Sequence, residues 1–173
     1  TLATCVKHFA AYGGAEAGRD YAQVELSEHT LREFYLPAYK ACIDAGTEML
    51  MPSFNVLNGV PATVNTWLMK KILKDEWDFN GIVISDYNAI GELRKHGIAE
   101  AKKERARLAF SHGCDIDMCS NAYAQHLKEL IEEGRALHHC VGASDTYMNR
   151  MAEGTSWICF LRKKKELKKP YYT

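Results

Sequence analysis

Residues 79–92 read Phe79-Asn80-Gly81-Ile82-Val83-Ile84-Ser85-Asp86-Tyr87-Asn88-Ala89-Ile90-Gly91-Glu92 and carry the clearest structural signal in this 173-residue chain. A glycine leads into three apolar, β-branched residues, a run too short for a helix and without the alternation of a half-exposed strand. This pattern predicts a strand buried on both faces, as in a parallel sheet. The strand ends at Ser85-Asp86, and α/β proteins place ligands and catalytic carboxylates at the carboxyl ends of parallel strands. Asp86 is therefore the first candidate catalytic residue.

A second interpretation of Asp86 comes from the short helix predicted directly after it, at residues 89–93. Aspartate is a preferred N-cap residue, because its carboxylate accepts hydrogen bonds from the first free N–H groups of a helix. From the local pattern alone, capping is the commoner role. The residues around Asp86 leave both roles open.

The strand-then-helix pattern occurs four times along the chain. We predict strands at residues 2–9, 47–51, 82–84 and 113–120, and helices at residues 27–45, 65–76, 99–110 and 123–135. Pro37 is expected to interrupt the first helix, since proline lacks the N–H that the helix interior needs. Strands that alternate with helices imply a parallel sheet with right-handed crossovers, so the predicted fold class is α/β.

Composition limits the classes of partner. Lys plus Arg and Asp plus Glu both number 22, so formal net charge is zero and gives no argument for a nucleic acid or membrane partner. Residues 136–173 hold seven basic against three acidic residues, which leaves a net charge of −4 on residues 1–135. No apolar run approaches the roughly 18 residues of a transmembrane helix. The basic run at residues 162–169 is interpreted as a solvated helix end.

The six cysteines form no Cys-x-x-Cys pair. Scattered cysteines are more typical of buried thiols than of a disulfide framework or zinc site, which slightly favours a reducing, cytoplasmic compartment. Periplasmic or secreted localisation stays open, because the chain begins with Thr1 inside an apolar run and we expect its true start to be missing.

Two groups of residues carry the types of side chain that bind metals. Asp115 and Asp117 alternate along a predicted strand, but no further Asp, Glu or His follows at ligand spacing. His138-His139-Cys140 are adjacent in sequence, and adjacent residues rarely chelate one ion. We therefore predict no metal site.

Several segments resemble family 3 glycoside hydrolases, the β-glucosidase family. Trp77-Asp78-Phe79-Asn80-Gly81-Ile82-Val83-Ile84-Ser85-Asp86-Tyr87 is similar to the family's nucleophile segment, and Lys7-His8-Phe9-Ala10-Ala11-Tyr12-Gly13 to its Lys-His-Phe segment. Gly18-Arg19-Asp20-Tyr21 and Gly113-Cys114-Asp115-Ile116-Asp117-Met118-Cys119-Ser120 also resemble family segments, so the similarity extends in order across residues 1–135.

The resemblance implies roles for six residues. Asp86 would be the nucleophile that attacks the anomeric carbon. Lys7, His8, Phe54, Tyr87 and Met118 would bind substrate, with Lys7 and His8 holding the glycone beside the nucleophile. Many members have tyrosine where Phe54 stands, so this chain keeps the aromatic wall and loses the hydroxyl.

Lys7 and His8 need a backbone irregularity to act side by side. Adjacent residues of a regular strand point to opposite faces of the sheet. We expect Gly13-Gly14 to supply the break, because glycine adopts conformations that other residues avoid. Without the resemblance, the two residues would be interpreted as ordinary surface side chains.

The implied activity is retaining, exo-acting hydrolysis of terminal non-reducing β-D-glycosyl residues, without a metal or organic cofactor. The segment Ala10-Ala11-Tyr12-Gly13 departs from the Pro-Gly-His-Gly loop of the family's β-N-acetylhexosaminidases, which favours the glucosidase and xylosidase branch. The acid/base residue is expected in a later domain or loop outside this chain. A carbohydrate is therefore the expected partner.

The resembling family builds a (β/α)8 barrel. Residues 1–135 would be its C-terminal half, with about four β/α units, followed by a basic tail at residues 136–173, which we interpret as a divergent terminus or the product of a shifted reading frame. Half a barrel leaves strand edges and apolar helix faces uncovered, so we expect self-association and no independent activity. The alternative function is a noncatalytic half-barrel that associates with a partner chain.

Overall fold

The computed structural model describes residues 3–136 and has an α/β fold. Its strands are β1 (Cys5–Phe9), β2 (Gln23–Val24), β3 (Met49–Pro52), β4 (Val56–Leu57), β5 (Val60–Pro61) and β6 (Ile82–Val83). The main sheet is parallel, in the order β1-β3-β6. A parallel bridge between Ile84 and Ile116 adds a fourth chain segment beside β6. The strand predicted at residues 113–120 is thus reduced to one bridged residue.

Helices connect these strands. They are α1 (Glu28–Thr30), a π-helical turn (Leu31–Tyr35), α2 (Leu36–Asp44), a π-helix (Trp67–Glu76), α3 (Ala89–Glu92), α4 (Lys102–Ser111) and α5 (Ala122–Glu132). Ser27 caps α1, because its side chain accepts a hydrogen bond from Thr30 N. The interruption predicted at Pro37 is the π-helical turn, which widens the helix directly before the proline in the first turn of α2.

A small second sheet holds two loops together at one end of the main sheet. β2 pairs in parallel with β4, and β4 pairs antiparallel with β5 through the turn at Asn58-Gly59. Both turn residues have positive φ, 49° and 82°, the conformation that asparagine and glycine tolerate. The Asn58 side chain also bonds to the backbone N and O of Leu26, each at 2.9 Å. The loops after β1 and β3 are therefore tied to each other.

Two apolar clusters cover the sheet and its helices. The first contains the buried face of the π-helix Trp67–Glu76, including Leu68, Ile72 and Leu73, and so confirms that the helix predicted at residues 65–76 packs on the core. The second lies between α3, α4 and α5 and includes Ile90, Phe110 and Leu130.

The charged face of α4 forms ion pairs with α5, such as Lys103 with Glu129 and Glu133. One cation of α4 is different, because Arg105 is buried and donates to Ala99 O and Glu100 O.

The prediction of buried thiols is wrong for three of the four described cysteines. Cys5, Cys42 and Cys119 are exposed, and Cys114 is fully buried; all four are free. Cys5 and Cys42 lie on a sheet edge and a helix surface rather than in either apolar cluster. The sequence pattern therefore indicated free thiols correctly and their burial incorrectly. Cys140 and Cys159 lie outside the described residues.

Thiol reactivity is expected to follow this exposure. A maleimide added under native conditions should label Cys5, Cys42 and Cys119 within minutes and leave Cys114 unmodified, as measured by peptide mass mapping. Burial raises the pKa of the Cys114 thiol, so both access and thiolate formation protect it. Labelling in denaturant is the control and should reach Cys114. Equal native labelling of Cys114 and Cys119 would contradict the fold.

The search for membrane-spanning helices and the location of the basic tail both depend on which residues the structure describes. No helix between residues 3 and 136 combines the length and the apolar character that crossing a bilayer requires. The basic tail, His138-His139-Cys140 and the run at residues 162–169 lie outside the described residues.

Candidate functional site

The predicted substrate residues meet at the carboxyl edge of the main sheet. His8 lies at the end of β1, Phe54 follows β3, Asp86 follows β6, and Met118 follows the bridged residue Ile116. In a parallel sheet all these strand ends face the same way. The structure therefore brings together residues that are separated by as many as 110 positions in the sequence.

Hydrogen bonds between the loops hold this edge. Ser53 N donates to Phe9 O at 2.7 Å, which fixes the loop after β3 against the end of β1. Ser85 N donates to Ile116 O at 2.8 Å, and Ser85 Oγ accepts from Met118 N at 2.8 Å. Asn88 N then donates to Met118 O at 2.8 Å. Backbone groups thus set the positions of Phe54, Asp86 and Met118.

One carboxylate oxygen of Asp86 accepts a hydrogen bond from the described residues, and the other does not. Its side chain is 11% exposed. Oδ1 accepts a hydrogen bond from Tyr87 N at 2.6 Å. Oδ2 is buried, accepts no hydrogen bond from the described residues, and lies 3.5 Å from His8 Nε2. A buried carboxylate oxygen without a donor is costly, so such an atom indicates a reactive or ligand-binding role.

The capping interpretation of Asp86 is wrong. The helix after it, α3, begins at Ala89 and is preceded by Asn88 in a left-handed conformation, with no side-chain cap. Asp86 contributes only its main-chain oxygen, which accepts from Ala89 N at 3.1 Å. Its carboxylate is therefore available for other chemistry.

His8 reaches Asp86 through a bulge in β1. The register moves from Lys7 opposite Met51 to Phe9 opposite Pro52, so β1 has one more residue than β3 at this point. The break lies in the strand itself and not at Gly13-Gly14, which corrects the prediction. Bulges re-aim side chains and are common next to active sites. The His8 side chain is 26% exposed, whereas Lys7 is exposed.

A row of rings extends from His8 along the same edge. The His8 ring centroid lies 5.0 Å from that of Tyr12, Tyr12 lies 6.3 Å from Phe54, and Phe54 lies 4.6 Å from Tyr21. Tyr21 also lies 6.1 Å from His96. We call His8, Tyr12, Phe54, Tyr21 and His96 the aromatic row. Phe54 thus packs between Tyr12 and Tyr21 in this row, and its contact with substrate stays a prediction.

Sequence reasoning missed Tyr12, Tyr21 and Asp20 as site residues. The Tyr12 hydroxyl donates a short hydrogen bond to the Asp20 carboxylate. Burial, this bond and the negative charges of Asp20 and Asp86 raise the pKa of Tyr12 to about 12, so the hydroxyl stays a donor at neutral pH. The sequence pattern that could have indicated the two tyrosines is their position on either side of the glycines in the loop after β1, with Tyr12 before Gly13 and Tyr21 after Gly18.

Tyr87 and Met118 flank Asp86 in different ways. Tyr87 follows the nucleophile candidate in sequence and is 63% exposed, so most of its ring is open to solvent. Met118 is half-buried, and both its backbone N and O are hydrogen-bonded within the site. Both residues therefore lie at the site, and their contacts with a sugar stay a prediction.

Asp115 and Asp117, the two carboxylates considered as metal ligands, accept hydrogen bonds from backbone N–H groups. Asp115 Oδ2 accepts from Val83 N at 2.7 Å. The Asp117 carboxylate accepts from Ser120, Ala122 N and Tyr123 N, which closes the first turn of α5. Between residues 3 and 136 no group of three or more His, Cys, Asp or Glu side chains is arranged to hold a metal ion.

Known proteins of one family resemble the chain along most of its described length. The sequence profile of the "Glycosyl hydrolase family 3 N terminal domain" matches residues 1–150. A periplasmic β-glucosidase of Salmonella typhimurium is 45% identical over 135 residues, which are 78% of this chain and 18% of that protein. A β-xylosidase of Formosa agariphila is 42% identical over 114 residues, 65% of this chain and 16% of its own length.

Solved structures give the same result for the fold. The β-glucosidase of Listeria innocua in complex with glucose superposes with a TM-score of 0.78 at 45% identity, covering 87% of this chain and 20% of that enzyme. A β-glucosidase from Erythrobacter marinus superposes with a TM-score of 0.75 at 34% identity. The chain therefore spans only a minor part of the length of each relative that it matches.

Proposed function

Because the chain belongs to glycosyl hydrolase family 3, of which it carries N-terminal domain sequence, we propose that it provides the nucleophile of a retaining, exo-acting β-glycosidase. The substrate class is a terminal, non-reducing β-D-glucosyl or β-D-xylosyl residue. Relatives named as β-glucosidases and β-xylosidases support this choice. In this proposal residues 1–135 are about four units of a (β/α)8 barrel.

The observation that carries the proposal is the geometry of Asp86. Oδ1 is held by Tyr87 N, whereas Oδ2 has no donor among the described residues and lies at the carboxyl edge of the sheet. One fixed oxygen orients the group, and the free oxygen keeps its lone pairs for attack on carbon. His8 Nε2, 3.5 Å from Oδ2, is positioned to bind a sugar hydroxyl beside the reacting carbon.

The reaction follows from these positions. Asp86 Oδ2 forms a bond to the anomeric carbon as the bond to the leaving-group oxygen breaks, and a covalent glycosyl-enzyme results. Water then releases the sugar with overall retention. A second carboxyl group roughly 5 to 5.5 Å away must protonate the leaving group and later activate the water. We place that group outside this chain, as the resemblance implies; Asp115 and Asp117, which flank Ile116, the bridge partner of Ile84, accept hydrogen bonds from backbone N–H groups.

The remaining predicted roles stay proposals. Lys7, His8 and Met118 would line the glycone subsite, Phe54 would form its aromatic wall, and Tyr87 would border its opening. Their common location at the carboxyl edge supports these roles. The exposed position of Lys7 makes its contact with sugar the least supported of the five.

The alternative, a noncatalytic half-barrel that associates with a partner, has one supporting observation. β1 is the terminal strand in the order β1-β3-β6, and within residues 3–136 no strand pairs with its outer edge, where a strand of a partner could add. Oligomerisation that rises with concentration, together with no labelling in the experiment below, would favour this alternative over catalysis.

The test is covalent labelling of the nucleophile in a full-length context. Residues 1–135 replace the matching segment of a family relative, and this graft is incubated with a slow fluorinated β-glucoside that accumulates the glycosyl-enzyme. We expect one added glycosyl group on the tryptic peptide of residues 75–94, which contains Asp86. An Asp86→Asn graft is the control. Labelling on a different peptide, or equal labelling of the Asn variant, would refute the proposal.

A further inference from the structure

Tyr21 is an exposed ring supported by another ring. Its side chain lies in the loop between the 3-10 turn Glu16–Gly18 and β2, and is 40% exposed. The ring centroid is 4.6 Å from that of Phe54, with an interplanar angle of 47°. This separation is within the range of favourable aromatic pairs. Phe54 therefore fixes the ring of Tyr21 while part of its surface remains open.

Tyr21 lies on the same side of the sheet edge as the nucleophile. Burial raises its pKa, and the negative charges of Glu92, Asp86 and Asp20 raise the pKa further, so those carboxylates are close enough to act on the hydroxyl. His96, 6.1 Å away, borders the ring on the α3 side. Tyr21 thus belongs to the aromatic row, whose first ring, His8, lies with Nε2 3.5 Å from Asp86 Oδ2.

A second exposed ring borders Asp86 from the loop after β6. Tyr87 donates its backbone N–H to Asp86 Oδ1, and its side chain is 63% exposed. Large apolar side chains that are exposed in residues 3–136 comprise Tyr21, Phe34, Val60 and Tyr87. Two of the three aromatic members of that group therefore lie in loops at the carboxyl edge of the sheet and offer exposed ring surface to a flat or apolar ligand.

We propose that Tyr21 is a specificity-determining residue that binds the leaving group of the glycoside, by stacking on an aryl ring or on the apolar face of a second sugar. The inference rests on the proposed function, because it places the glycone beside Asp86 and His8. The leaving group then extends toward solvent, where Tyr21 and Tyr87 remain open. Stacking on Tyr21 discriminates between leaving groups and leaves recognition of the glycone unchanged.

Two non-hydrolysable ligands with the same glycone separate these roles. Phenyl 1-thio-β-D-glucoside and methyl 1-thio-β-D-glucoside are titrated against the 173-residue chain by ligand-observed NMR, which detects weak binding. We expect Tyr21→Ala to weaken the phenyl ligand about fivefold to tenfold, the value of one aromatic contact, and to leave the methyl ligand unchanged. Tyr21→Phe keeps the ring and should bind both ligands as the wild type does.

Phe34→Ala is the matched control, since Phe34 is a more exposed aromatic residue, at 77%, on the π-helical turn Leu31–Tyr35. It should alter neither affinity. Equal weakening of both ligands by Tyr21→Ala, or no weakening of either, would overturn the inference. A wild-type chain that binds neither thioglucoside would also overturn it, whereas the proposed function is decided separately by labelling of the graft.

Discussion

Replacing Asp86 with asparagine is expected to lower kcat of the graft by about 10⁴-fold or more, the loss typical of removing a central catalytic group. An amide oxygen is a poor nucleophile and cannot form the glycosyl ester. The local structure should persist, because the asparagine side-chain oxygen can still accept from Tyr87 N, which Asp86 Oδ1 does at 2.6 Å. Hydrolysis of an aryl β-glucoside measures kcat, and thermal unfolding verifies the fold.

Two controls make the Asp86 result specific. Asp75→Asn removes an exposed carboxylate from the end of the π-helix Trp67–Glu76 and should leave kcat unchanged. Asp86→Gly opens space for a small anion, so added azide should restore turnover and produce a glycosyl azide of inverted configuration. Retained activity in Asp86→Asn, or azide rescue without inversion, would show that another group is the nucleophile.

Asp117→Ala is expected to reduce the free energy of unfolding of the chain by about 3 kcal/mol, because several N–H and O–H donors lose one common acceptor. Asp117 is 7% exposed, and its carboxylate accepts from Ser120 N, Ser120 Oγ, Ala122 N and Tyr123 N. These bonds start α5, which packs on α4 in the second apolar cluster. Urea denaturation followed by circular dichroism measures the change.

The matched variants separate charge from hydrogen bonding. Asp117→Asn keeps one acceptor oxygen and should lose less stability than the alanine variant. Asp75→Ala removes an exposed carboxylate and should change the free energy of unfolding by less than about 0.5 kcal/mol. Equal stability of Asp117→Ala and wild type would mean that water replaces the carboxylate at the start of α5.

The role of Asp86 shows what local sequence leaves undecided. The run Ile82-Val83-Ile84 before a polar pair predicted the strand and its end correctly, but its burial on both faces only in part, because Val83 is buried whereas Ile82 and Ile84 are partly exposed. Capping and catalysis both need an aspartate at this point, so the local pattern cannot separate them. The separation came from Asn88, which precedes α3 in place of Asp86, and from the bulge that brings His8 within 3.5 Å of Oδ2.

The aromatic row and the exposure of the cysteines depend on tertiary structure that no local sequence pattern predicts. Tyr12 and Tyr21 are distant from Asp86 in sequence, and no period or spacing connects them. Their proximity depends on β2 pairing with β4, which no local pattern predicts from two residues each. Cys5 and Cys42 were predicted to be buried because cysteine is usually buried, and their strand and helix positions decided otherwise.

The sequence by itself determined the α/β class, the order of the three main-sheet strands and the long helices, and the location of Asp86 at a strand end, since each depends on hydrophobic runs and turn residues that act locally. Its motifs also identified the family that the profile match confirms. The tertiary structure alone decided that Asp86 Oδ2 accepts no hydrogen bond from the described residues, that Asp117 serves a helix start and that Tyr21 packs on Phe54. These properties depend on distances between loops from different strands, which are fixed only when parallel strands align their carboxyl ends.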